Sequence, residues 1–206
     1  MGVISNGTTL LDAGALDSGV STGAMILIKE LTASSSGTLS FVDGASSVVF
    51  DGTYKQYIFK LINIHPATNN VDFQFNVSVD GGSNYNVSKQ STQFNAYHNE
   101  AGNDAVLGYN AAYDLANGTG FQNITNDIGN EGDMNTAATL TIYNPADTTF
   151  VKHFMATTNN NYNSGGYFQN DFLAGYFNTT SAIDAIQFKM SSGNVDAGTI
   201  KMYGVK

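Results

Sequence analysis

The stretch from Tyr54 to Asp80, YKQYIFKLINIHPATNNVDFQFNVSVD, ends in an unbroken alternation. Val71, Phe73, Phe75, Val77 and Val79 share one parity, and Asp72, Gln74, Asn76, Ser78 and Asp80 the other. A period of two puts the apolar set on one face of a strand and the polar set in water. The first half, Tyr57 to Ile64, is apolar at both parities, which predicts a strand covered on two faces. Between the halves, His65-Pro66-Ala67-Thr68-Asn69-Asn70 is turn chemistry: Pro66 lacks a ladder donor, and asparagine tolerates unusual dihedrals. The stretch therefore predicts a central antiparallel hairpin.

The same reading extends in both directions. Met25–Thr32, Gly37–Asp43 and Ser47–Phe50 read as strands ahead of it. Behind it, Asp80-Gly81-Gly82-Ser83-Asn84 is a turn, and Tyr85–Val87 and Thr92–Tyr97 continue a meander. Ala138–Tyr143 and Thr149–Thr157 flank an Asn144-Pro145 turn, and Phe168–Asn178 follows a polar tip at Asn159–Gly166. Ile183–Met190 and Thr199–Val205 predict a closing hairpin. About ten to twelve strands with turns at this spacing, and no amphipathic helix, describe an all-β sandwich or barrel.

Two segments depart from the pattern. Met1–Gly23 is rich in Gly, Ser, Thr and Asp, which predicts an extended N-terminal arm ahead of a single domain over 24–206. Leu10, Leu11 and Leu16 are the arm's candidate docking residues, since an arm has no core of its own in which to bury them. His98–Thr136 carries only isolated apolar residues among Asn, Gly and Asp, so 98–136 reads as a long loop insertion that could hold one or two short strands. Long loops on a β-scaffold commonly carry binding residues.

Composition narrows the partners. Charged residues make up 12% of the chain, about half the usual share. The net charge is −9, and all eight basic residues are lysines. Without arginine forks, and with an acidic balance, neither nucleic acid nor an anionic membrane is an expected partner. The absence of cysteine excludes disulfides and thiolate metal sites. No apolar run approaches the roughly 20 residues of a membrane span, and Met1–Ser21 has no secretory pattern, so the expected origin is a cytoplasm.

Catalytic motifs are missing. His65, His98 and His153 have no partners at metal-ligand spacing, no serine sits in a nucleophile elbow, and no helix follows a phosphate-loop glycine pattern. The expectation is a protein that is not an enzyme and has no cofactor. The one metal candidate is calcium at Asp127, Glu131 and Asp133, oxygen ligands around a glycine-permitted turn; the alternative is a solvated acidic loop. Tyr109, Tyr113, Tyr162 and Tyr167 stand among Asn, Gly and Ser, a composition suited to recognising a sugar or a protein; the alternative is that they cover the sandwich ends.

The last segment, AIDAIQFKMSSGNVDAGTIKMYGVK, resembles the closing hairpin of small virion proteins of marine tailed bacteriophages, cyanophage- and pelagiphage-like, which often end in a Gly-Thr-Ile-x-x-Tyr-Gly pattern. Gly198, Thr199, Ile200, Tyr203 and Gly204 stand at those places. The centre, FKLINIHPATNNVDFQFNVSVDGGSNYN, is similar to the same family's core strands and Asp-Gly-Gly turn. The resemblance implies an antiparallel jelly-roll-type β-sandwich in a virion. Its implied roles are a capsid decoration, cement or knob protein, or a tail-fibre appendage binding a receptor or host-surface glycan. Partners implied are further copies of itself, as a homotrimer, and other virion proteins such as the major capsid protein.

Overall fold

The alternating segments form strands that bury one face each. The computed structural model describes residues 3–5, 8–12, 15–16, 24–162 and 166–206. In chain order the strands are β1 (Val3–Ser5), β2 (Thr8–Asp12), β3 (Ala15–Leu16), β4 (Met25–Thr32), β5 (Leu39–Val42), β6 (Gln56–Pro66), β7 (Val71–Ser78) and β8 (Lys89–Asn99). They continue with β9 (Ala105–Tyr109), β10 (Ala116–Gly118), β11 (Gln122–Ile128), β12 (Thr136–Tyr143), β13 (Lys152–Asn161), β14 (Tyr167–Phe177), β15 (Ala185–Met190) and β16 (Val195–Val205). One 3₁₀ turn, Ala111–Tyr113, stands between β9 and β10.

Two antiparallel sheets make a sandwich. The large one runs β10-β8-β14-β13-β12-β6-β16-β4, with β9 also on β8; the small one runs β11-β7-β15-β5. Number the eight strands β4, β5, β6, β7, β11, β12, β15 and β16 from one to eight. Their order is then 1-8-3-6 in the large sheet and 2-7-4-5 in the small one. That is jelly-roll wiring, two interlocked Greek keys. The remaining strands β8, β9, β10, β13 and β14 are additions, and all of them lengthen the large sheet beyond β12.

The core lies where the sheets face each other. Tyr57, Phe59 and Leu61 of β6 meet Phe73, Phe75 and Val77 of β7 and Phe188 of β15, all buried. Phe59 is 5.5 Å from Phe41 and 5.6 Å from Phe188, centroid to centroid. Phe75 makes edge-on contacts with Phe154 at 5.3 Å and Phe177 at 6.2 Å, tying the added strands into the same core. Each such pair adds about 0.5–1.5 kcal/mol beyond the area it buries.

This arrangement corrects several expectations. Tyr54–Asp80 is not a hairpin: β6 pairs with β12 and β16, whereas β7 pairs with β11 and β15 in the opposite sheet. The turn at 67–70 is a corner between sheets, because the apolar faces of both strands must enter one core. The closing segment crosses in the same way, with β15 in the small sheet and β16 in the large. The polar side of β7 is not in water either, since Asn76 and Ser78 are buried. Nor is β6 covered on both faces: Ile62 is exposed and Ile58 half-exposed.

The segment 98–136 is no loop insertion. It holds β9, the 3₁₀ turn, β10 and the core strand β11, buried at every residue but Asp127. Ser47–Phe50 and Tyr85–Val87 are irregular although Val48, Phe50 and Val87 are buried. The arm is extended locally but folds on itself: β1, β2 and β3 pair into a small antiparallel sheet, with Ile4 opposite Thr9 and Leu11 opposite Leu16. The side chains of Leu10, Leu11 and Leu16 lie outside the described part of the arm.

Candidate functional site

Where β13, β14 and β8 carry the large sheet past β11, its inward face loses the cover of the small sheet and changes character. One row of paired residues runs Ile200, Leu61, Ala138, Thr158, Asp171, Asn95, apolar to polar along the sheet. The next runs Thr136, Asn160, Gln169, Tyr97. Between this overhang and β11 is a cleft of about 360 Å³, lined by Asn95, Tyr97, Asp104, Asn110, Asn126, Asp127, Tyr162, Tyr167 and Gln169.

Three rings and a set of amides shape it. The Tyr167 ring lies 5.7 Å from Tyr97 and 6.2 Å from Tyr162, both at 72°. Tyr167 donates from its hydroxyl to Asp104 Oδ2 at 2.7 Å, which raises the tyrosine's pKa. Asn95, Asn126 and Gln169 are buried polar side chains of the lining. Asn126 is anchored from behind, its Oδ1 accepting from Gln93 Nε2 at 3.2 Å and its carbonyl from Asn160 Nδ2 at 3.0 Å. Gln93 Oε1 and Asn160 Oδ1, both buried, have no hydrogen-bond partner among the described residues.

Asp127 reaches the cleft through a local irregularity. It has φ of 53°, and the register of β11 against β7 shifts between Thr125 and Ile128. A bulge re-aims a side chain that a regular strand would direct elsewhere, and aspartate tolerates the left-handed region. Burial, and next the charge of Asp72, raise the Asp127 pKa, against a lowering hydrogen bond from Tyr162. Behind the lining, Asp171 accepts from Gln169 Nε2 at 2.7 Å, Thr158 Oγ1 at 3.1 Å and Gln93 Nε2 at 3.2 Å. Burial still pushes its pKa up to about 6.

Of the four candidate tyrosines, the structure brings Tyr162 and Tyr167 together in the cleft. Tyr113 lies outside its lining, but burial, followed by the charges of Asp127 and Asp72, pushes its pKa up to about 12. Tyr109 is elsewhere, on edge strand β9 opposite Phe94, with its hydroxyl on Asp114. The calcium set is not assembled. Asp127 belongs to the cleft, Glu131 and Asp133 are exposed beyond the end of β11, and no group of three or more metal-binding side chains converges among the described residues. Sequence reasoning missed Asn95, Tyr97, Asp104, Asn110, Asn126 and Gln169; for Asn95, Tyr97 and Gln169 the one available signal is the run of polar residues at the inward parity of 93–97 and 169–171.

The opposite, outward face of the large sheet is the second surface of note. A row of paired residues crosses it as Ala174, Met155, Thr141, Ile58, Tyr203, Leu27. Met155 is 54% and Leu27 49% exposed, and Phe94 stacks on Phe172 at 4.8 Å nearby. A shallow depression of about 500 Å³ opens there over Gly175, between Tyr143, His153, Met155 and Tyr176. Comparison with protein-family models, curated proteins and solved structures returned no match to this chain.

Proposed function

We propose that the chain is a structural subunit of a bacteriophage particle, a capsid decoration, cement or knob protein. It packs against further copies of itself through the outward face of the large sheet, and its arm binds the underlying particle proteins. The observation that carries this reading is the apolar row on that face. Soluble monomers rarely expose contiguous apolar patches beyond a few hundred Å². Here Leu27, Ile58, Met155 and Ala174 share one row, with Thr141 and Tyr203 between them, across strands whose other face is already committed to the core. Closed symmetric assemblies of identical subunits are the usual result of such a face, and the resemblance implies a trimer.

The C-terminal pattern supports the resemblance through packing. Gly198 has φ of 120°, and a Cβ there would come within 2.6 Å of the Asn63 carbonyl. A Cβ on Gly204 would meet the Tyr54 ring at 2.3 Å. Both glycines are therefore requirements of the fold, which makes the pattern a signature of architecture.

Sedimentation equilibrium tests self-association. The wild-type chain is expected as a trimer, and Ile58→Lys combined with Met155→Lys as a folded monomer. A monomeric wild type, or a double variant of unchanged mass, overturns the interface. Mass spectrometry of purified particles tests the assignment itself, which fails if the protein is absent from them.

A further inference from the structure

The cleft beside β11 has a chemistry that the particle reading does not use. Among the described residues its lining contains three tyrosine rings, four amides and two carboxylates, and no lysine or histidine. A phosphate, sulfate or acidic sugar would have no cation to meet there. The carboxylates are not free for a metal or an ammonium group, because Asp104 is held by Tyr167 and Asp127 by Tyr162. What remains is a set of side-chain amides, which carry both donors and acceptors, beside three half-buried tyrosine rings. Sugar hydroxyls both donate and accept, and the C–H face of a pyranose packs on an aromatic ring. A cleft of about 360 Å³ falls within the size range of small-molecule sites and has room for one or two sugar rings.

The lining is also prepared in advance. Asn126 is fixed by Gln93 and Asn160, and Gln169 by its bond to Asp171. Preformed polar groups lose little freedom on binding, which is what separates a site from a merely wet surface. The two unpaired acceptors behind the lining, Gln93 Oε1 and Asn160 Oδ1, mark a region built for more hydrogen bonds than the chain supplies.

We propose that this cleft binds a neutral saccharide, with a pyranose ring packed against Tyr162 and Tyr97. Its hydroxyls are held by the amides of Asn95, Asn126 and Gln169. The proposal stands apart from the particle reading, because it concerns the isolated chain whatever its oligomeric state.

The test is a two-dimensional amide NMR titration of the wild-type protein. The probes are methyl glycosides of glucose, galactose, mannose and N-acetylglucosamine, their β1-4 dimers, glucuronic acid and choline. At least one neutral glycoside is expected to shift Asn95, Tyr97, Asn126, Tyr167 and Gln169 together and saturably, with Kd of about 0.1–10 mM. Tyr162→Ala is expected to weaken that binding about tenfold, whereas Tyr109→Ala leaves it unchanged. The proposal is overturned if no neutral probe shifts these residues, if only glucuronic acid or choline does, or if the shifts map elsewhere. Equal affinity in Tyr162→Ala also overturns it.

Discussion

Lys89 donates a hydrogen bond to Asn76 Oδ1 at 2.6 Å, and neither side chain reaches solvent. A second bond runs from Lys89 Nζ to the carbonyl of Val87 at 2.8 Å. Two acceptors and no carboxylate suit a neutral amine, and burial brings the Lys89 pKa down from 10.5 to about 7.

The sign of the resulting pH dependence follows. Below about pH 7 folded and unfolded chains both carry the proton, and the buried charge is a constant cost. Between about pH 7 and 10.5 only the unfolded chain holds it, so this residue's contribution to stability rises with pH across that window. Lys89→Met removes the titrating group while leaving the Val87 carbonyl without its donor, and is expected to flatten the profile from pH 7 to 10. Urea denaturation across this range checks it; profiles parallel to the wild type would refute a titrating Lys89.

Asp171 gives the opposite slope in a lower window. Its folded pKa of about 6 lies above the ordinary 3.8, so the folded chain holds the proton more tightly. Stability from this group is full below about pH 3.8 and declines as pH rises toward 6, after which the buried carboxylate is a fixed cost. Asparagine can keep Oδ1 toward Gln93 and Gln169 and offer its amide to Thr158. Asp171→Asn should therefore stabilise the protein at pH 8 by about 2 kcal/mol, with the gain shrinking toward pH 4. Asp171→Ala, which removes the acceptor of Thr158 and Gln169 and one of the two of Gln93, should destabilise at both. A loss of stability for Asp171→Asn at pH 8 would show that these donors require the charge.

Gly175 sits where the outward depression approaches the core. A Cβ there would stand 2.4 Å from the Gln90 carbonyl and 2.6 Å from the Phe154 ring. The first is sheet backbone and the second is locked between Phe75 and Phe177, so neither can yield. Gly175→Ala is expected to cost about 3 kcal/mol or more, read as a lowered denaturation midpoint with an unchanged slope. A cost under about 1 kcal/mol would mean that β8 and β14 separate easily.

The sandwich was legible in the sequence because alternation reports burial of one face, and Val71, Phe73, Phe75 and Val77 do face the core. Alternation does not say which sheet a strand joins. That is why the corner at 67–70 reads as a hairpin, and why β15 and β16 do too. Strand β11 was illegible for another reason: Gln122, Asn123 and Asn126 are buried by hydrogen bonding, so no apolar period marks them. The cleft depends on long-range register. Asn95 and Asp171 are partners across β8 and β14, and nothing local to either announces the other. Tyr162 and Tyr167, which line the cleft, do carry a local composition signal.

Jelly-roll wiring sets the order in which the chain can assemble. Among the described residues β4 pairs only with β16, and Thr32 meets Thr199 across 167 residues. During synthesis β4 emerges early and waits for nearly the whole chain before its partner exists. Until then the backbone of Met25–Thr32, with Leu27 and Ile28 beside it, is an unpaired edge open to other chains. Non-local pairing of this kind folds slowly, in milliseconds to seconds or longer. Overexpression should therefore lose material to aggregation through this early strand, and slower synthesis at low temperature should recover it.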